Sequence, residues 1–161
     1  MTDQDLRELR ELLGDQKFIE PKDDFIDWLI EYAKDRMIID VGCGNGHVTR
    51  AINAKGGKAI GVDPFMTDAC KMSAPSAFYQ HKIEHTPFRN LPGHQVLYLL
   101  ARPCHGHFTE LTLAYAQPQS EVLYVGLHKN VEIDFFKTFD FHKVDAPTAK
   151  SYELALSVKK S

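Results

Sequence analysis

Two hydrophobic periods alternate along this chain. Short, nearly continuous apolar runs occur at 37–41, 58–62 and 95–101 and again at 122–126. Strands buried on both faces of a parallel sheet read this way. Between them lie helical patterns. Leu6, Leu9, Leu12 and Leu13 share one stripe over Asp3 to Leu13, with Arg7 and Glu11 paired four apart and Gly14 as the stop. Phe25, Trp28, Leu29, Tyr32 and Ala33 mark a stronger helix introduced by Pro21, for which Asp23 or Asp24 is the natural N-cap and first-turn acid. A third helix is expected over His47 to Ala54, ending at Gly56-Gly57, and a fourth over Thr109 to Ala116. Near the end, Phe139 to Asp145 and Tyr152 to Val158 follow a period of two across a turn containing Pro147, the pattern of an antiparallel hairpin. The stretch from Ser73 to Pro92 is the least legible, with a short third strand over Ala77 to Gln80 and a distorted helix behind it.

The organising stretch is the first strand and its exit. Met37-Ile38-Ile39-Asp40-Val41 runs into Gly42-Cys43-Gly44-Asn45-Gly46, with glycines at every second position, before the helix that carries Val48, Ala51 and Ile52. Glycine accepts backbone angles closed to other residues and lets a ligand approach the main chain. A helix that starts behind such a turn aims free N–H groups and a partial positive charge at that ligand. The dinucleotide fingerprint needs Gly-x-Gly-x-x-Gly. Here the spacing is one residue shorter, and Asp40 stands just upstream. A second strand delivers Asp63, followed by Pro64 and Phe65, and an acid at that place can accept bonds from both hydroxyls of a ribose.

Ile39 to Gly46, followed by Gly61-Val62-Asp63-Pro64, resembles the first two motifs of class I S-adenosylmethionine-dependent methyltransferases. The resemblance is tight over about 37–65 and topological elsewhere. It implies an α/β fold: a Rossmann-like, doubly wound, mostly parallel seven-stranded sheet closed by a C-terminal antiparallel hairpin. It also implies S-adenosylmethionine as cofactor. The cofactor set is then Asp40, Gly42, Cys43, Gly44, Asn45, Gly46, Asp63, Pro64 and Phe65. In that family the glycines run under the methionine part, Asp40 balances its positive charge, Asp63 holds the ribose and the residues after Asp63, here Phe65, pack on adenine. An acid that reads the adenine amino group often follows the third strand; this chain offers Gln80, His81 and Glu84 there.

The acceptor side should be the loop after the fourth strand, Arg102-Pro103-Cys104-His105-Gly106-His107. Ligands of doubly wound sheets bind outside the carboxyl ends of the strands. The acid or Asn followed by Pro-Pro and an aromatic residue, usual in enzymes that methylate exocyclic amines of bases, is missing. Pro103-Cys104 resembles the nucleophile motif of C5-cytosine methyltransferases, and Arg102 with a protonated His105 would favour its thiolate. No glutamate motif follows the fifth strand to support that chemistry. The catalytic candidates are therefore His105, as general base toward a hydroxyl or amine, and Cys104. His105 and His107 lack further ligands at metal-binding spacing, so no metal is expected.

The remaining numbers set bounds. At 161 residues, with 43% apolar and 25% charged residues, the chain fits one domain: N-terminal helices over 1–36 and the core over 37–161. The net charge of −3 argues against strong non-specific nucleic-acid binding and leaves a local basic patch open. Three scattered cysteines fit a reducing cytoplasm, and no apolar run has the length of a membrane span. The expected activity is direct methyl transfer to a small-molecule, protein or RNA acceptor. The alternative is a non-catalytic methyltransferase-like protein, acting as a binding partner or as the cofactor-holding subunit of a complex. A protein partner or homo-oligomer fits either version.

Overall fold

The computed structural model describes residues 22–66, 68–101, 107–127, 140–147 and 153–161. Strands β1 (Met37–Val41), β2 (Ala59–Val62), β3 (Phe78–Tyr79), β4 (Val96–Ala101), β5 (Glu121–Leu127), β6 (His142–Val144) and β7 (Glu153–Lys159) form one sheet in the order β3-β2-β1-β4-β5-β7-β6. β1 to β5 are mutually parallel, and β7 runs antiparallel to both β5 and β6. This is the doubly wound sheet with its terminal hairpin. The order reverses at β1, whose neighbours are β2 and β4, and ligands of doubly wound sheets bind beyond the carboxyl end of the strand at such a switch point.

Alternate residues of the continuous apolar runs serve two cores. On one face Ile38, Leu97, Leu99, Leu123 and Val125 pack against helix α1 (Asp23–Ala33) and helix α2 (His47–Ala54), through Phe25, Ile26, Leu29, Val48 and Ile52. On the other, Ile39, Tyr98, Leu100, Val122 and Tyr124 meet Ile83, Phe88 and helix α4 (His107–Tyr115), which supplies Leu113 and Tyr115. Helix α1 thus packs on the sheet. Its N-cap is Lys22, not Asp23 or Asp24: both acids fall inside the first turn, where they favour the positive end of the helix, and Asp24 accepts from the Phe25 N–H at 2.8 Å. The far end of α1 is fixed to the sheet by Glu121, which accepts from Tyr32, from Arg36 at 2.7 Å and from Ser157 at 2.5 Å. The expected helix over Asp3 to Leu13 lies outside the described residues.

The stretch that resisted sequence reading begins where helix α3 (Asp68–Ser73) ends; it holds 3-10 turns at Pro75–Ala77, before β3, and at Ile83–His85 and Phe88–Asn90 behind it, with another at Gly93–Gln95 just beyond, in place of one distorted helix. Side chains from elsewhere hold it. The Tyr115 hydroxyl donates to the Thr86 carbonyl at 2.7 Å and accepts from the Arg89 N–H at 2.8 Å. The Gln117 amide donates to the carbonyls of Phe88 and Leu91, while its oxygen accepts from Tyr98 at 2.6 Å. Tyr115→Phe leaves a buried carbonyl and an N–H without that partner, at a cost of about 2 kcal/mol. The expected result is a melting temperature lower by roughly 4–8 °C. A melt within a degree of the wild type would show that the segment holds without this bond.

Candidate functional site

Asp40 and the glycine loop sit at the switch point. Val41 of β1 is in register with Val62, and Val62 with Tyr79, so the carboxyl ends of β1, β2 and β3 finish together. Asp40 is also in register with Leu99, two residues before β4 ends. The exits of the first and fourth strands are neighbours, as expected.

Each alternate glycine has a left-handed backbone: φ is +73° at Gly42, +59° at Gly44 and +77° at Gly46. The loop is laced to β2 by N–H bonds from Gly42 and Cys43 to the Val62 carbonyl, at 2.7 and 3.2 Å. It turns back on itself through Gly46 N–H to Cys43 carbonyl at 2.9 Å, and Gly46 then caps α2 with its backbone alone. Gly46 also meets protein at close range. A Cβ there would lie 2.6 Å from the Phe78 ring and 2.9 Å from Cys70 Sγ. One at Gly61 would lie 2.8 Å from the same ring. At these two positions the missing side chains make room for Phe78 of β3.

Two buried carboxylates flank the loop. Asp63 is 0% exposed; its oxygens accept from the Gly44 N–H at 2.9 Å and the Phe65 N–H at 2.8 Å. It therefore clamps the loop to the end of β2, a task the ribose expectation did not include. Asp40 is 2% exposed and accepts from the Thr49 hydroxyl at 2.8 Å. Burial pushes its carboxyl up to about 6, against the pull of the Thr49 bond and with a further push from the charge of Asp63. Among the described residues no lysine or arginine is one of the groups that act on it. A cationic ligand is what such an uncompensated acid lacks, and the ammonium and sulfonium of S-adenosylmethionine fit that need.

Of the other expected cofactor residues, Asn45 is buried in the loop, Cys43 and Pro64 are partly exposed, and Phe65 is 8% exposed. Thr49 and Phe78 were missed. The signal for Thr49 was a polar side chain on the apolar side of α2, between Val48 and Ile52; Phe78 carried none beyond its short strand. Cys104 and His105 lie outside the described residues, as do Arg102, Pro103 and Gly106; of His107 only its place at the start of α4 is described. Among the described residues no group of three or more His, Cys, Asp or Glu could hold a metal ion, and no helix is long and apolar enough to cross a membrane.

A protein-family profile described as "Methyltransferase domain" matches residues 39–95, the span from β1 to the start of β4. No curated protein matches the sequence. Solved structures share the fold. A putative type 11 methyltransferase from Sulfolobus solfataricus superimposes with a TM-score of 0.59 at 18% identity, over 89% of this chain and 94% of that one. Magnesium protoporphyrin IX methyltransferase from Synechocystis PCC 6803, with bound S-adenosylmethionine, gives 0.54 at 16% identity over 99% and 92%. The 1,6-didemethyltoxoflavin-N1-methyltransferase of Burkholderia thailandensis, with its substrate and S-adenosylhomocysteine bound, gives 0.57 at 14% identity over 98% and 84%. The matched segment, the short-spaced glycine motif and the strand order agree, and the chain shares the Rossmann-like fold of these methyltransferases.

Proposed function

We propose that this chain moves the methyl group of S-adenosylmethionine to a small-molecule acceptor held at the carboxyl ends of β1 and β4. The observation that carries the reading is the left-handed glycine loop between two buried acids, Asp40 and Asp63. When bound, the cofactor supplies an electrophilic methyl on a sulfonium. The residues of the chain do the rest by placement. Gly42, Cys43, Gly44, Asn45 and Gly46 would present backbone to the methionine part, and Asp40 would meet its positive charge. Asp63 would keep the loop in shape and accept from the ribose, with Pro64 and Phe65 beside the adenine. His105, or Cys104, would take a proton from the acceptor. Positioning and water exclusion are the main contributions a protein makes to such an in-line displacement.

A small acceptor is favoured by charge: a chain at −3 offers little for a nucleic-acid backbone. The absence of a disulfide at Cys43 and Cys70 supports a cytoplasmic setting. Calorimetric titration with S-adenosylmethionine and S-adenosylhomocysteine tests the reading. The wild type should bind both. Asp63→Asn keeps the shape of the side chain but loses the charge that grips Gly44 and Phe65, so its affinity should fall about tenfold or more. Folded wild-type protein that binds neither ligand would overturn the proposal.

A further inference from the structure

Behind the glycine loop lie two thiols that methyl transfer does not use. Cys43 stands in the loop, partly exposed, and Cys70 lies on α3, 3% exposed; neither is in a disulfide. They share one small apolar cluster: Cys70 packs with Met66 and Phe78, and Cys43, Ala74 and Ala77 pack against that group. The Cys43 thiol lies 3.9 Å from the Gly44 carbonyl, to which it donates, and its side chain packs on the cluster that holds Cys70. On the other side of Cys70, Arg50 places Nη1 4.0 Å from the sulfur, while its Nη2 lies 3.2 Å from His47 Nδ1. The pairing with Cys43 draws the Cys70 thiol below its ordinary range; burial opposes the shift and the Arg50 charge supports it. The same pairing, with burial, holds Cys43 protonated. One sulfur is therefore prepared to attack and its neighbour to resolve.

We propose that Cys43 and Cys70 are a redox modification site, at which a peroxide converts the pair to a disulfide that staples the glycine loop to α3 and weakens cofactor binding. The second half rests on the methyltransferase reading. In the first step the Cys70 thiolate attacks one peroxide oxygen; the O–O bond breaks, a sulfenic acid forms and hydroxide leaves, to be protonated to water. In the second the Cys43 sulfur attacks the sulfenic sulfur. The S–O bond breaks, the S–S bond forms, and the departing oxygen takes the Cys43 proton as a second water. Two thiols lose two electrons and one peroxide gains them.

The bond has a structural consequence. To bond, two sulfurs that pack in one cluster must close to about 2.05 Å. Cys43 cannot follow freely, because its N–H bonds Val62 at 3.2 Å and its carbonyl accepts from Gly46 at 2.9 Å. The loop shifts with it, and with it the backbone offered to the cofactor.

The test treats the full chain with hydrogen peroxide, blocks remaining thiols with iodoacetamide and maps the peptides. The expected product is a Cys43–Cys70 cross-link, reversed by dithiothreitol. Affinity for S-adenosylmethionine should fall about tenfold or more on oxidation and return on reduction. Cys70→Ser, or Cys70→Ala if serine disturbs the cluster, should bind like the reduced wild type and ignore peroxide. Full alkylation of both thiols after peroxide, a cross-link to Cys104 instead, or a disulfide form with unchanged affinity would each overturn the proposal. Should the reduced protein bind no cofactor, the methyltransferase reading falls, and the peptide map alone decides whether the disulfide forms.

Discussion

Replacing Gly46 by alanine is expected to destabilise the protein by about 3 kcal/mol. Two costs add. An alanine at φ +77° pays about 1–2 kcal/mol for the left-handed backbone. Its Cβ would then stand 2.6 Å from Phe78 Cε1 and Cζ and 2.9 Å from Cys70 Sγ, an overpacking that costs about 1–3 kcal/mol. Phe78 has little room to give, since it is 7% exposed and packed against Met66 and Cys70. Gly56 supplies the comparison: its φ is +87°, but nothing lies within 4 Å of a Cβ there. Gly56→Ala should therefore show the backbone cost alone. The difference between the two variants, read as a further drop of about 3–8 °C in melting temperature, measures the pressure on Phe78. Adding Phe78→Leu to Gly46→Ala should recover part of that difference, because the two residues touch. Equal melting temperatures for Gly46→Ala and Gly56→Ala would mean that the β3 ring yields easily and the close approach is incidental. The prediction also bears on function, since Gly46 ends the loop and caps the helix behind it.

The contrast between Gly46 and the segment after it explains what the sequence could reveal. A continuous run such as Met37 to Val41 is constrained from both faces by the cores, and alternate glycines are constrained by left-handed backbone. Both constraints are local, so residue type records them. The strand order followed from the family resemblance for the same reason: the motif fixes β1, α2 and β2, and their neighbours have few other places to go. Helix α3 left no such record. Six residues with Met72 79% exposed carry too little apolar face for a periodic signal. The turns over 83–90 are held by Tyr115 and Gln117, more than twenty positions away in sequence, whose hydroxyl and amide do what local capping does elsewhere, with Tyr98 fixing the Gln117 amide. Asp63 illustrates the same limit at the site itself. Its type and place announced a polar duty, but that its oxygens would grip Gly44 and Phe65 depends on how β2 ends against the loop. The N-cap of α1 fell to Lys22 because extended backbone at that residue starts the helix one position before the acids.

Asp40→Asn is expected to make the protein more stable at neutral pH and poorer at holding its cofactor. Burial raises the Asp40 carboxyl from 3.8 to about 6 in the folded chain. The folded state thus binds its proton more tightly than the unfolded state does. The linked stability is fully present below about pH 4, fades as pH rises through about 6, and leaves the ionised acid a burden of order 3 kcal/mol above that. Asparagine removes the burden and can still accept from the Thr49 hydroxyl, which lies 2.8 Å from Asp40 Oδ2. The melting temperature of the variant should therefore exceed that of the wild type at pH 7.5, and the gain should shrink toward nothing at pH 4. Cofactor affinity should move in the opposite sense. A cationic ligand prefers the ionised acid, so wild-type affinity should strengthen between pH 5 and 7 with release of a proton on binding, while the variant binds weakly and with a flat profile. Calorimetry in buffers of different ionisation enthalpy reads that proton directly. A variant that is less stable than the wild type at pH 7.5 would mean that Asp40 is already neutralised within the folded chain. In that case the acid is structural, and the positive charge of the cofactor must be met elsewhere in the loop.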